Sequence, residues 1–477
     1  QEMNDDLNAY YSLMSDIDAS VTENWNVIDH DNDPVTPDSA AGFLPIGSYE
    51  DHFMGALNGN SYNINDLYIN RPGYDNIGLF GFINCSQTYK IIGHLNLINV
   101  KIRGLNQVGG LAGNFRSSGV IPRIENVKIS GIIIGEERVG GLIGNNLCCG
   151  VVIDSYTSVS VHGIFFVGGF IGYNKGRIIH CGSEGTVVGG GSCGGLVGRH
   201  VINEIIDSHS TSDVFGLKNI TFFEGDIGGF VGANQAIIRN SYSTGNVNGD
   251  LGKVGGFVGA CCCENYNNPD IQNCYATGDV VGNNRAGGFL GRFDGGQIKY
   301  CYSVGKVSAE SRSGGFVGSS NLGRVSRSFW DIETSKQTGS DDYELGKTST
   351  EMKDISTYLD SLWDFTNTWA IDPEINSGYP YLQSTILSIE SEQPDVSAAV
   401  SIYPNPANEY VTISIRDVSA QIYNIQIVNM LGGIIKIFPC QAVSQEFILP
   451  ISEIAKGYYF LRIRTDSGDL TFPIVIE

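Results

Sequence analysis

The sequence has few basic side chains, no long apolar run and no metal-type cysteine pair. Lys and Arg number 29 against 51 Asp and Glu in 477 residues, a formal charge of −22. So acidic a surface repels nucleic-acid phosphates and anionic lipid, which sets both aside as partners. No run of about 18 apolar residues occurs, so no transmembrane segment is expected. No basic-apolar leader precedes Gln1, which reads as a mature start after signal-peptide removal. None of the 11 cysteines forms CxxC, which argues against a zinc ribbon. Cys148-Cys149 and Cys261 to Cys263 read as packing residues. The odd total leaves one thiol for intermolecular pairing in an oxidising compartment. No helical heptad occurs in 77–330.

Glycine is what the chain has in excess: 62 residues, roughly twice the usual share. Much of it recurs as a pair inside Val-Gly-Gly-Leu/Phe-x-Gly. The pairs are Gly109-Gly110, Gly140-Gly141, Gly168-Gly169, Gly194-Gly195, Gly228-Gly229, Gly255-Gly256, Gly287-Gly288 and Gly314-Gly315. Their steps are 31, 28, 26, 34, 27, 32 and 27 residues. That period signals stacked units that bury their apolar faces only against neighbours. A second column, Ile-x-x-Ser/Cys-Tyr, lies between the pairs. The constant distance between the two columns predicts two short strands per unit. The segments are β-branched and bounded by Gly, Asn and Ser. The expected fold is all-β, a parallel β-solenoid of about nine coils with like residues stacked about 4.8 Å apart.

Stacking assigns the rows. Val108, Val139, Val167, Cys193, Ile227 and Val254 should point inward. Asn126, Asp154, His180, Asp207, Asn240 and Asn273 form a polar column, read as a turn ladder, with a metal or acid–base site as the alternative. Tyr156, Tyr242, Tyr275, Tyr302 and Phe329 form an aromatic column, read as core or inter-coil stacking, with an outward sugar platform as the alternative. Adjacent apolar pairs such as Phe230-Val231 need either a bend at the glycines or an outward apolar row, and the bend is favoured. Asp154 and Asp207 lie two coils apart, loose for a retaining glycosidase pair, and no second carboxylate column exists to complete a site. No catalytic residue is assigned, and the chain is expected not to be an enzyme. Asp29, Asp31 and Asp33 have the spacing of a calcium loop, but Pro34 and Ala40 stand at its sixth and twelfth positions. Calcium is thus the one cofactor with any support, and a solvated acidic loop is the preferred reading.

The Gly-Gly-Leu/Phe-x-Gly core resembles the GLUG repeat of bacterial surface proteins. Tyr10 to Asp18 with Phe43 to Gly47 resembles the segment that usually leads into it. Phe329-Trp330-Asp331, Trp363-Asp364-Phe365, Trp369 and Gly378 to Leu382 resemble the segment that follows it. The repeat occurs in adhesin-like proteins and in large zinc peptidases. The peptidases need His-Glu-x-x-His, and none of the seven histidines starts that motif. Residues 384–399 read as a polar linker. Beyond it, Tyr403-Pro404-Asn405-Pro406, Asn429 to Gly432 and Gly457-Tyr458 to Leu461 resemble the C-terminal sorting domain of the type IX secretion system of Bacteroidota. Regular turn signals there suggest a small Ig-like β-sandwich.

The expected organisation is a cap and lead-in at 1–76, the solenoid at 77–330, a second cap at 331–383, the linker at 384–399 and the sorting domain at 400–477. The resemblance implies a secreted, cell-surface structural or adhesin-like solenoid. Its partners would be the type IX machinery or an outer-membrane shuttle, and a protein or glycan at the surface. A glycan-binding or glycan-cleaving solenoid is the alternative.

Overall fold

The computed structural model describes residues 2–28, 39–85, 91–117, 122–147, 150–217, 225–249, 252–261, 269–341, 345–383, 400–403, 407–415, 422–428, 434–439, 446–465 and 468–476. They fall into two compact units, 1–385 and 386–477.

The first unit is a parallel β-solenoid. One coil shows the rule: strands Val151–Ile153, Tyr156–His162, Phe165–Gly168 and Ile171–Asn174. The next coil starts at Arg177–Ile179, with Ile178 in register on Val152. A coil therefore has four short strands where the spacing predicted two. The difference lies in the corners. Asp154 takes φ 49, which ends the first strand, and the glycine pair bends the chain between the third and fourth. The fourth strands form a nine-stranded parallel sheet from Phe80–Cys85 to Val317–Ser320, so the chain makes eight full turns between them. The other three join one continuous parallel sheet. Winding begins early: Tyr10–Ser12 pairs in parallel with Ala56–Asn58, which pairs in turn with Ile92 and Gly93.

The glycine bend resolves the adjacent apolar pairs. It resets the strand phase, so Leu142 and Ile143, Phe170 and Ile171, and Phe230 and Val231 all face the interior and are fully buried. The Val108–Val254 row, with Cys193 in it, is buried too. Phe230, Phe257, Phe289 and Phe316 stack at 4.7, 4.9 and 4.7 Å. Each such side chain contributes roughly 1.5–3 kcal/mol by burial.

Close approach explains the glycines. A Cβ on Gly110 would lie 2.6 Å from the Gly141 carbonyl oxygen of the next coil, and the same overlap recurs at Gly141, Gly169, Gly195, Gly229, Gly256 and Gly288. A hydroxyl column then ties the coil across its interior. Thr157, Ser183, Ser243 and Ser303 donate to the carbonyls of Gly169, Gly195, Gly256 and Gly315 at 2.7–2.8 Å.

The second unit has a three-stranded antiparallel sheet (Val400–Tyr403, Tyr410–Ile415, Glu446–Pro450) and a four-stranded one (Ile434–Pro439, Ile422–Val428, Gly457–Thr465, Gly468–Ile476). They share a core that includes Val411, Ile413, Ile425, Ile427, Leu461 and Ile474, the two-sheet arrangement expected of a sandwich.

Gly229→Ala places a methyl group on the Gly256 carbonyl and is expected to destabilise the solenoid by about 3 kcal/mol. Ser243→Ala removes one interior hydrogen bond and should cost about 1 kcal/mol. Denaturant midpoints followed by circular dichroism check both the direction and the order.

Candidate binding faces of the solenoid

The polar column is a ladder of left-handed corners. Asn126, Asp154, His180, Asp207, Asn240 and Asn273 all have φ between 48° and 54°, a conformation that short polar side chains tolerate best. Neighbours are tied along the stack. His180 meets Asp154 and Asp207 at 3.4 Å each, and the Asn273 amide donates to Asn240 Oδ1 at 3.1 Å. Each corner interrupts backbone pairing, and the next residue repairs it. The Ser208 hydroxyl accepts from the Cys181 N–H at 3.1 Å, and Ser155 does the same for Val127. Among the described residues, no group of three or more His, Cys, Asp or Glu could hold a metal ion. The calcium candidate Asp29, Asp31, Asp33 lies outside the described residues.

The aromatic column stacks from coil to coil and is no open platform: Tyr275, Tyr302 and Phe329 are buried in a hydrophobic core of their own, outside the solenoid's interior core. His209, Tyr242, Tyr275 and Tyr302 stack face to face at 5.1, 4.9 and 5.2 Å with interplanar angles of 9° or less. Each ring face is covered by the next ring, so only edges are left, and at Tyr275 and Tyr302 these are buried too. Gly182 leaves one gap in the column, and there Tyr156 and His209 approach to 6.1 Å. Burial pushes the Tyr242 phenol up to about 12 and the His209 imidazole down to about 4. Burial also raises Tyr156, whose hydroxyl donates to Glu184 at 2.6 Å.

The segment after the last repeat covers half of this column. Strand Leu345–Lys347 first continues the winding beside Phe329–Asp331. The chain then forms short helices at Ser349–Met352 and Ile355–Leu359 and packs on the column's edges. Trp369 lies 6.2 Å from Tyr275 and 6.0 Å from Tyr302. The Tyr302 hydroxyl donates to the Pro380 carbonyl and accepts from Asn376 Nδ2 at 2.7 Å. Fully buried Asp331 anchors the wrap. It accepts from the Glu333 and Thr334 amides, the Ser349 hydroxyl and the Tyr379 hydroxyl at 2.7–3.0 Å.

Spacing did not reveal one interior polar site. His200 is fully buried beside an asparagine ladder. Asn174 receives the Asn146 amide at 2.8 Å and directs its own Nδ2 at His200 Nδ1, 3.1 Å away. A donor at Nδ1 excludes a second ring proton there. Burial pushes the imidazole down to about 4.

The repeat glycines all stand at the bends described above. Of the sorting-motif residues, Tyr403 ends a strand opposite Thr412, while Gly457 and Tyr458 open a strand opposite Ile476 and Val475. Pro404, Asn405, Pro406 and Gly432 lie outside the described residues, as do Cys148, Cys149, Cys262 and Cys263. Cys181, Cys193, Cys261, Cys274 and Cys301 are buried.

Two outcomes follow. His200 is held neutral, so its share of stability is complete above its unfolded value near 6.5 and is lost as pH falls towards about 4, by about 3 kcal/mol at most. His200→Asn should flatten that part of the acid limb, measured as the wild-type-minus-variant difference in denaturant midpoint between pH 7 and pH 4. Trp369→Ala should loosen the wrap locally, opening new protease cuts within 345–383 while the coils stay resistant.

Residues 401–477 match the family described as secretion system C-terminal sorting domain, and residues 224–248 match the GLUG motif. Halomucin of Haloquadratum walsbyi is 36% identical over 152 residues, 31% of this chain and 1% of halomucin. A protein of Evansella cellulosilytica provisionally named a Gly-rich membrane protein is 30% identical over 71% of this chain and 40% of its own length. The immunoglobulin A1 protease of Streptococcus sanguinis is 24% identical over 52% of this chain and 11% of its own length. The chain thus spans less than half of each of these relatives. Among solved structures, a proposed immunoglobulin A1 protease from Bacteroides ovatus aligns with 80% of this chain and 89% of its own, at 17% identity and a TM-score of 0.37. Among the described residues no helix is long and apolar enough to cross a membrane. The chain carries a GLUG-motif β-solenoid followed by a type IX C-terminal sorting domain, which marks it as a secreted, cell-surface protein.

Proposed function

We propose that this chain is an adhesive or structural rod displayed at the cell surface, with no catalytic chemistry of its own. The observation that carries this reading is the export signal at 401–477 joined to a solenoid whose ring and polar columns are satisfied along the stack. Face-stacked rings and laddered corners make a stiff body, and they leave no unengaged nucleophile or carboxylate pair in those columns. Asp154 and Asp207 lean on His180 from opposite sides at 3.4 Å each, so the imidazole occupies the space between them that a glycosidase pair needs for sugar or water. The relatives named as proteases share 11% of their length with this chain. No His-Glu-x-x-His occurs here, so the shared part is read as the repeat region.

Deleting residues 401–477 is expected to lower surface display at least tenfold, scored by antibody staining of intact cells, with the chain retained inside. Deleting the whole chain should reduce attachment of cells to a glycan- or protein-coated surface. Hydrolysis of polysaccharide or peptide by the purified chain, abolished by a single substitution, would overturn the non-catalytic reading.

A further inference from the structure

We propose that Cys274 and Cys301 are joined by a disulfide in the exported protein, a clip between successive coils behind the rings that hold the C-terminal wrap. The bridge depends on export out of the reducing cytoplasm and is independent of the adhesive reading. It lies in the column that follows the left-handed corners, which holds Ser155, Cys181, Ser208, Ser241, Cys274, Cys301 and Ser328. The hydroxyls there have a backbone task. Ser155, Ser208, Ser241 and Ser328 accept an N–H of the coil before, from Val127, Cys181, Ser208 and Cys301, at 3.1–3.3 Å. A thiol is a weak acceptor and a poor substitute in that task.

Cys181 has serine on both sides of it in the column, whereas Cys274 and Cys301 occupy successive rungs. The ladder pairs Gln272 with Lys299 and Tyr275 with Tyr302, which sets Cys274 against Cys301. In-register Cα atoms of paired strands lie about 4.8 Å apart, within the span of about 4.4–6.8 Å that a disulfide bridges. The rings of the next residues, Tyr275 and Tyr302, stack at 5.2 Å, so nothing parts the coils here. Both cysteines are fully buried and point the same way. Each thiol donates to the carbonyl two residues back, Cys274 to Gln272 and Cys301 to Lys299, at 3.2 Å. The Cys274 side chain is also in hydrogen-bonding contact with Cys301. One thiol turning from its carbonyl towards the other closes the bridge.

The oxidant is a disulfide, either that of a dithiol oxidase of the cell envelope or oxidised glutathione. One cysteine thiolate attacks a sulfur of that disulfide and releases its first thiol. The second cysteine thiolate then attacks the mixed disulfide and releases the other thiol. The two cysteines lose two protons and two electrons, and the oxidant takes up both pairs. Burial sets the timing. In the finished solenoid it pushes the Cys274 thiol well up and keeps oxidants out, so exchange precedes closure of the coils. The same burial then shields the bridge from reductants. The bridge encloses residues 275–300, a loop constraint that stabilises the folded chain. It also ties together the two coils whose Tyr275 and Tyr302 receive Trp369 at 6.2 and 6.0 Å.

The test takes the full chain from the surface or medium of secreting cells and denatures it in excess iodoacetamide, which caps every thiol. Cleavage before aspartate then yields peptides 270–278 and 294–330, each with one cysteine. The expected result is the two peptides linked, lighter by two hydrogen atoms than their sum, with Cys181 capped. Capped Cys274 and Cys301, either of them bridged to a different cysteine, or Cys181 bridged to the same extent would each overturn the proposal. The variant Cys274→Ser, Cys301→Ser carries the residue that the column holds elsewhere, so the fold is retained. Reduction with dithiothreitol should lower the urea midpoint of the wild type by about 0.5 M more than that of the variant. An equal response of the two proteins would overturn the clip.

Discussion

The contact on which the rest depends is backbone against backbone at the second glycine of each pair. Where a Cβ would stand on Gly141, Gly169 or Gly229, the next coil has its own carbonyl oxygen. Coils can then sit at strand-pairing distance on a bent stretch of chain, and the bend stays in register over eight turns. Once register is fixed, like residues must stack. The phenylalanine ladder inside, the tyrosine ladder outside and the polar corners are consequences of that one steric permission.

Self-stacking also limits what the surface can do. A ring whose two faces touch identical rings cannot offer either face to a sugar. The Tyr242–Tyr275–Tyr302 column is therefore structural although it points outward. What it offers is edge, and the wrap from 345 to 383 uses that edge through Trp363, Trp369 and the Asp331 hub. Chemistry left for partners has to come from positions where successive coils differ in sequence. The corner before the glycine pair is such a place, holding arginine, phenylalanine, serine, aspartate and lysine in turn.

The solenoid was legible because its signal is periodic. Spacing of the glycine pairs marks the coils, and the valine row, with Cys193 in it, marks the inside. Other features depend on facts that period does not carry. Four strands per coil, not two, follow from φ near +50° at Asp154 and its equivalents; their polar character was visible in the sequence, but not that they end strands. The outward direction of Tyr156 depends on strand phase across that corner. The wrap over Tyr302 is a contact between residues about 75 positions apart, as in Asn376 with Tyr302. The corner before the glycine pair brings together residues seven apart across a bend, as Phe166 meets Tyr173 edge to face. Neither helix nor strand periodicity brings such positions together.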